Sequence, residues 1–207
     1  LILSFRMDYV WRKKSIKNIK NNPQKILDIA TGTADFAIMA AKYTDAEVVG
    51  VDISKKMLSI GNKKIKKQKL SNRILLKLAD AEQLPFKNNS FQAITAGFGV
   101  RNFQSMETGL SEMYRVLDKD GIVIILEPST PSKFPIKQLY NIYFRHILPL
   151  LGKIISKDQK AYTYLTNSVN AFPSNKTFLK KLEKIGFKDC KHIPLTFGIV
   201  SLYSAKK

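Results

Sequence analysis

Lys25-Ile26-Leu27-Asp28-Ile29-Ala30-Thr31-Gly32-Thr33-Ala34-Asp35 is the stretch on which the fold turns. It opens with a short apolar run ending in small side chains, the pattern of a strand buried on both faces. Thr31-Gly32-Thr33-Ala34 reads as a turn, and Phe36, Ala37, Met39, Ala40 and Ala41 then predict a helix with one apolar face. A strand that feeds a helix through such a turn is half of a βαβ unit.

The alternation continues outward. Ala46-Glu47-Val48-Val49-Gly50-Val51-Asp52 is a second strand, and Ser54 an N-cap for a helix whose Met57, Leu58, Gly61 and Ile65 share a face. The polar side of that helix runs into a string of lysines, which reads as a solvated face. Strands are expected over 74–79 and 91–98, a helix over 105–117, a turn at Asp118-Lys119-Asp120-Gly121 and a fifth strand over 122–127. Repeated βαβα gives an open, mostly parallel sheet with helices on both faces. After a helix over 175–185, strands over 187–194 and 197–205 are joined so closely that an antiparallel hairpin is expected. Between these parts, residues 135–170 break the rhythm with an unusually apolar helical stretch over 136–155, bent or broken at Pro149. It is expected as a helical insertion capping the substrate side of a single domain over 1–207.

The 207 residues fit one domain, and 44% hydrophobic content is ordinary for a globular chain. No apolar run reaches the roughly 18 residues needed to span a bilayer. The start is no signal peptide, because no charged segment precedes a long apolar one, and a cytoplasmic location is expected. The chain begins at Leu1 without a methionine, which suggests a trimmed N-terminus. A single cysteine, Cys190, rules out an internal disulfide framework and a multi-cysteine zinc site. The net charge of +19 has two readings: an anionic partner, either nucleic acid or a membrane surface, or a coding bias toward lysine.

In open parallel sheets, ligands sit beyond the C-terminal ends of the strands. Residues 30–33, Asp52, Asp80 and 97–102 all fall there, so separate segments converge on one crevice. Small residues at 30, 32 and 34 let the backbone approach a ligand and turn sharply. Such a loop also suits dinucleotides. Only one of the small positions is Gly, however, and Asp28 inside the motif is a poor neighbour for pyrophosphate. A carboxylate at Asp28 suits the cationic amino-acid end of S-adenosylmethionine (SAM), directly or through water. Asp52 is placed to accept from both ribose hydroxyls, a feature NAD enzymes share. Asp80 can accept from the adenine amino group while the Ala81 N–H donates to the ring. Ala30, Thr31, Gly32, Thr33, Ile53, Met57 and Gly97 complete the expected cofactor contacts, with S-adenosylhomocysteine as product.

Gly97-Phe98-Gly99-Val100-Arg101-Asn102 ends the fourth strand, where such folds place reacting groups. It lacks the Asn/Asp-Pro-Pro-aromatic tetrapeptide of amide-type N-methyltransferases. Cys190 is too remote to serve as the nucleophile that pyrimidine carbons require. An electron-rich substrate remains, needing loss of a proton and correct aim. Arg101 can stabilise a developing phenolate, or else make a structural ion pair, and Asn102 can fix the ring. His146, on the apolar helix near Tyr140 and Tyr143, is either a satisfied helix histidine or a proton relay. Phe98, Tyr140 and Tyr143 are the expected substrate contacts. His146 and His192 are the only histidines, with no ligand spacing around either, so no metal is expected.

These residues resemble the ubiquinone/menaquinone biosynthesis C-methyltransferase family. The likeness lies in Asp28-Ile29-Ala30-Thr31-Gly32-Thr33-Ala34-Asp35, Gly50-Val51-Asp52-Ile53-Ser54, Asp80-Ala81-Glu82-Gln83-Leu84-Pro85-Phe86 and Phe98-Gly99-Val100-Arg101-Asn102. Glu112-Met113-Tyr114-Arg115-Val116-Leu117, Leu148-Pro149-Leu150-Leu151-Gly152, Tyr162-Thr163-Tyr164-Leu165, Phe172-Pro173 and Gly186-Phe187 continue it. The resemblance implies a class I SAM-dependent methyltransferase fold, Rossmann-like, with strand order 3-2-1-4-5-7-6. It implies methylation of a ring carbon of a reduced polyprenyl quinone, either demethylmenaquinol or a benzoquinol precursor of ubiquinone. Phe98-Gly99-Val100-Arg101-Asn102-Phe103 looks more like the menaquinone-only members. Thr33, Asp52, Asp80 and Ala81 match the family's cofactor contacts. Ala34 stands where the family has Gly, a mild change if the backbone angle is negative, and Gly97 where many members carry Ser. The family's N-terminal segment, which would help close the site, is mostly absent; Leu3-Ser4 and Trp11-Arg12 match its end.

The lipid tail would account for the apolar stretch at 136–155, as a tail groove or as peripheral contact with an anionic membrane surface; core or dimer packing, including a homodimer, is the alternative. A nucleic-acid methyltransferase fits the charge but lacks a stripe of basic and aromatic residues, so no nucleic-acid partner is expected. A non-catalytic SAM-binding protein and an NAD-dependent dehydrogenase are the remaining rivals.

Overall fold

The computed structural model describes residues 7–131, 133–142, 164, 167–169 and 171–207. The apolar run of the decisive stretch is strand β1 (Lys25–Ile29), and the helix after its turn is α2 (Asp35–Tyr43). A helix α1 (Met7–Ile16) precedes them. Then follow β2 (Glu47–Asp52), α3 (Lys55–Lys67), β3 (Ile74–Leu78), β4 (Phe91–Gly97), α4 (Met106–Val116), β5 (Leu117–Pro128) and α5 (Ile136–Ile142). The chain ends with α6 (Asn175–Ile185), β6 (Lys188–Leu195) and β7 (Val200–Lys206). Short 3-10 turns, Val100–Asn102 and Thr196–Gly198, follow β4 and β6.

The sheet runs β3-β2-β1-β4-β5-β7-β6. The first five strands pair in parallel, and β7 lies antiparallel between β5 and β6. This is the sheet expected, including the C-terminal hairpin and the strand order. Side chains alternate across it. Leu27 and Ile29 of β1 pack with Leu110 and Met113 of α4 and Phe178 and Leu182 of α6. Ile26, one residue earlier, faces α2, Ile65 of α3 and Ile16 of α1. Ser54 caps α3 as expected, its hydroxyl accepting from the Met57 N–H.

Three details differ from the sequence reading. Helix α1 was not foreseen, because only Ser15 and Ile16 of its residues are buried and no apolar stripe marks it. Helix α2 is apolar all round rather than on one face: residues 36–41 are all buried, between the sheet and the overlying α1. The expected turn at 118–121 lies inside a continuous β5. Leu117 pairs with Phe91 and Ile122 with Ala93, so the four residues between them bulge opposite Gln92. Asp120 takes a left-handed φ of 60° there, which keeps the turn chemistry within the ladder. In the 135–170 region α5 is helical as expected, while Pro149 and most of the 136–155 stretch lie outside the described residues.

Candidate active site

The β1–α2 turn is built from alternate left-handed residues: Ala30 (φ 51°), Gly32 (φ 55°) and Ala34 (φ 64°). Gly32 adopts this freely, but an alanine there brings its Cβ against the backbone. The condition for a mild Ala34 substitution is therefore not met: its φ is positive and the position is strained. The turn aims the start of α2 at the sheet edge. Beneath it Asp28 is wholly buried, with Thr31 Oγ1 donating to Oδ2 at 2.5 Å and Thr95 Oγ1 to Oδ1 at 2.6 Å. Burial pushes its carboxyl up to about 6, against the pull of the two hydroxyls.

Two adjoining cavities of about 270 and 320 Å³ open over this turn, and they share Ala30, Asp52, Gly99 and Asn102. Ile53, Asp80 and Ala81 line the first; Asp28, Thr31, Gly32, Thr33, Met57, Gly97 and Phe98 line the second. Every residue expected to touch a cofactor therefore borders one crevice, at the C-terminal ends of the strands. Asp52 is held from both sides: the Gly32 N–H donates to Oδ2 and the Ser54 N–H to Oδ1, each at 2.8 Å. A carboxylate has about four acceptor sites, so each oxygen keeps capacity for a ribose hydroxyl. Beside it Ile53 is 74% exposed, an apolar face available to a flat ring. Asp80 accepts the Glu82 N–H through Oδ1 at 2.9 Å, and no protein donor takes Oδ2 among the described residues. Thr33 is less available: its hydroxyl donates to Asp35 at 2.9 Å and accepts from Lys64 at 2.7 Å. These features fit an adenosine with a zwitterionic tail.

Gly97 is explained by packing. A Cβ there would come within 2.7 Å of Phe36 Cδ1, so a serine at this position does not fit beside the phenylalanine unless the ring moves.

The reacting end differs from expectation. Arg101 borders neither cavity. Its Nη1 donates to Glu127 Oε2 at 2.8 Å and to the Phe98 carbonyl. Glu127 has no exposed surface, and its Oε1 also accepts the Val100 N–H at 2.8 Å. Burial raises the Glu127 carboxyl, and the Arg101 guanidinium opposes that rise. Arg101 is thus the structural ion pair, fixing the 98–102 loop, rather than a free cation facing substrate. Asn102 does border both cavities, and its Oδ1 accepts from the Tyr164 hydroxyl at 2.9 Å. Phe98, at φ 62°, lies edge-on to Trp11 (6.2 Å) with the Arg12 guanidinium 5.6 Å from its ring centre.

Tyr140 lines neither cavity; it is buried in α5, and burial pushes its hydroxyl up to about 12. Tyr143 and His146 lie outside the described residues. Burial raises the Cys190 thiol to about 11, which keeps it protonated. Among the described residues no group of His, Cys, Asp or Glu side chains could hold a metal.

Sequence reasoning missed Arg12, Thr95, Glu127 and Tyr164. Arg12 borders the second cavity, paired with Asp8 at 2.7 Å. The Trp11-Arg12 match was its only signal. Thr95 and Glu127 sit in apolar strands, where an isolated polar residue was itself the available clue.

A family model described as the ubiE/COQ5 methyltransferase family matches residues 1–207. A protein of Bacteroides fragilis named demethylmenaquinone methyltransferase is 45% identical over 99% of this chain and 84% of its own length. A protein of Geotalea daltonii named ubiquinone/menaquinone biosynthesis C-methyltransferase is 42% identical over 100% of this chain and 88% of its own. Among solved structures, a SAM-dependent methyltransferase from Aquifex aeolicus superposes with a TM-score of 0.70 over 97% of this chain and 92% of its own, at 14% identity. That likeness establishes a common fold.

Proposed function

The chain belongs to the ubiE/COQ5 methyltransferase family, and we propose that it transfers the methyl group of SAM to a ring carbon of a reduced polyprenyl quinone, with demethylmenaquinol as the substrate. The observation that carries this reading is the crevice, in which Asp52, Ile53 and Asp80 face one cavity and Arg12, Asp28 and Phe98 the other. Asp52 takes the ribose hydroxyls, Ile53 the face of the adenine and Asp80 its amino group. At the other end Arg12 and Asp28 suit the carboxylate and the ammonium of the amino-acid moiety.

SAM, when bound, supplies an electrophilic methyl on a cationic sulfur. What remains for the chain is aim and the exclusion of water. Asn102, at the junction of the two cavities, orients the quinol and the water that takes its hydroxyl proton. Deprotonation pushes electron density onto the ortho carbon. With SAM bound, that carbon would form a bond to the methyl as the C–S bond breaks and S-adenosylhomocysteine is released. Loss of the ring proton would then restore the aromatic ring as the methylated quinolate, whose oxygen takes a proton back from water to give the quinol, one proton being released overall. Arg101 serves by holding the loop that carries Asn102. The substrate is a lipid and the chain carries a net charge of +19, so the protein works peripherally at the anionic inner face of a membrane. Among the described residues no helix is long and apolar enough to cross one.

Incubation with methyl-labelled SAM and reduced demethylmenaquinone tests this, with a reduced benzoquinone precursor in parallel. Label in menaquinol is expected, with weaker labelling of the benzoquinol. Label only in the benzoquinol would reverse the ring assignment.

A further inference from the structure

We propose that a third cavity, apart from the two of the cofactor crevice but on the same edge of the sheet, holds the isoprenoid chain of the substrate, an inference that rests on the quinol reading above. The cavity of about 420 Å³ lies between the loop after β5, the start of α5 and the 196–198 turn. That size falls in the range of small-molecule sites, roughly 300–1,000 Å³. Phe134, Ile136, Pro194 and Phe197 line it.

Phe197 is the most telling of these. It is 77% exposed and sits in left-handed backbone (φ 58°, ψ 19°), directly after Thr196 at φ 45°. Such backbone is unfavourable for a bulky side chain, and exposing the ring gives folding nothing in return. The turn is nonetheless held firmly. Trp11 Nε1 donates to Thr196 Oγ1, and Ser129 Oγ donates to the Gly198 carbonyl, each at 2.8 Å. Phe134, on the same cavity, is 81% exposed, and Leu139 and Ile142 of the adjoining helix α5 are exposed as well. A cluster of exposed large apolar side chains on a lysine-rich surface marks a binding site.

The polar lining favours an uncharged ligand. His192 Nε2 is 2.8 Å from Ser201 Oγ, and Asn175 Oδ1 accepts from the Ser201 and Tyr203 hydroxyls, so these groups largely satisfy one another. Burial lowers the His192 pKa and keeps the ring neutral at physiological pH. Among the described residues that line the cavity, Lys133 is the one formal charge, on an exposed chain that can carry its ammonium to water.

Trp11 joins this cavity to the methyl-transfer site. One side of it meets Phe98 in the cofactor crevice, and its indole N–H holds the turn that presents Phe197. Only β5 separates β4, whose end carries Phe98 and Asn102, from β7, so these two strands lie two ladder spacings apart, roughly 10 Å. A ring held at Asn102 would send its first isoprene units along Trp11 into the cavity.

Trp11 is the only tryptophan of the chain, which makes it a built-in reporter. The test uses Phe197→Gly and Phe134→Ser, two exposed positions where melting temperature should hold or, at the left-handed Phe197, rise slightly. Farnesol, an isoprenoid without a quinol ring, is titrated against Trp11 emission. Turnover is measured on reduced demethylmenaquinone with a long chain and on 1,4-dihydroxynaphthalene, which has none. Farnesol should shift the emission of the native protein and compete with the long-chain quinol. Each variant should lose roughly tenfold in farnesol affinity and in kcat/KM for the long-chain quinol alone, the scale of one lost apolar contact. No emission change with farnesol, or equal losses on both quinols, would overturn the proposal. If the native protein methylated neither quinol, the quinol reading would fail, and the farnesol titration would still decide the cavity.

Discussion

Replacing Arg101 with alanine removes one half of a buried ion pair and leaves the other half inside. Glu127 has no exposed surface, and the Arg101 side chain is 12% exposed, so little water can take over. Truncating one partner of such a pair costs roughly 3–5 kcal/mol. The Val100 N–H remains on Glu127 Oε1 at 2.8 Å, which places the expectation at the low end. About 3 kcal/mol corresponds to a fall in melting temperature of about 6–12 °C for a chain of this size. The loss should also depend on pH. Burial already raises the Glu127 carboxyl, and without the opposing Arg101 it rises further. A carboxyl whose folded pKa lies above its unfolded value contributes its stability while protonated and loses it as pH rises through that window. The deficit of R101A is therefore greatest at the alkaline end of the acid-to-neutral range and closes as pH falls and Glu127 takes up a proton. Melting curves across that range, with calorimetric titration of SAM at each pH, measure both effects. SAM affinity should fall with stability, because Gly99 and Asn102 line the crevice from the loop this pair anchors. Lost turnover with unchanged melting and unchanged SAM affinity would refute the positioning role and return Arg101 to the substrate. Replacing both partners together, as R101M/E127L, should recover most of the stability.

Asp28, raised to about 6 by burial, should make SAM binding proton-linked. A cationic ligand beside it favours the charged form, so affinity measured by calorimetry should weaken about tenfold per pH unit below that value and level off above it. Asp52→Ala removes the acceptor of the Gly32 and Ser54 N–H groups and of two ribose hydroxyls. Two charge-assisted bonds of roughly 1.5 kcal/mol or more each predict about a 100-fold or greater loss of SAM affinity, with little change for ligands lacking the ribose. Ala34→Gly relieves a left-handed alanine at φ 64° but removes a buried methyl. Relief of about 1–2 kcal/mol against about 0.8 kcal/mol of lost burial predicts a rise of a degree or two in melting temperature. A fall of several degrees would show that the turn is not strained.

The cofactor side of the site was legible because its chemistry coincides with its topology. Asp28, Asp52 and Asp80 stand at or beside strand ends, and parallel pairing carries strand ends to one edge whatever else the chain does. The reacting side was not, because it depends on distant pairings. Nothing local to Arg101 reveals that Glu127, 26 residues on, lies within 2.8 Å of it. A Glu closing an apolar strand reads as the start of a loop until its burial is seen. Helix α1 escaped notice for a related reason: it lays Trp11 and Arg12 across two sites while burying only Ser15 and Ile16. The bulge in β5 shows turn residues doing their usual work inside a ladder, an outcome that only the partner strand decides. The strain at Ala34 and Phe197 is a matter of backbone angle, on which side-chain pattern is silent.

The proposed chemistry needs a nucleophilic ring carbon, and only the reduced quinone has one. Methyl transfer from labelled SAM should therefore be measured on one demethylmenaquinone preparation, divided into a chemically reduced and an oxidised portion. Label should enter menaquinol in the reduced portion and be absent from the oxidised one. Equal labelling of both portions, or none in the reduced portion while SAM binds normally, would contradict the proposed function.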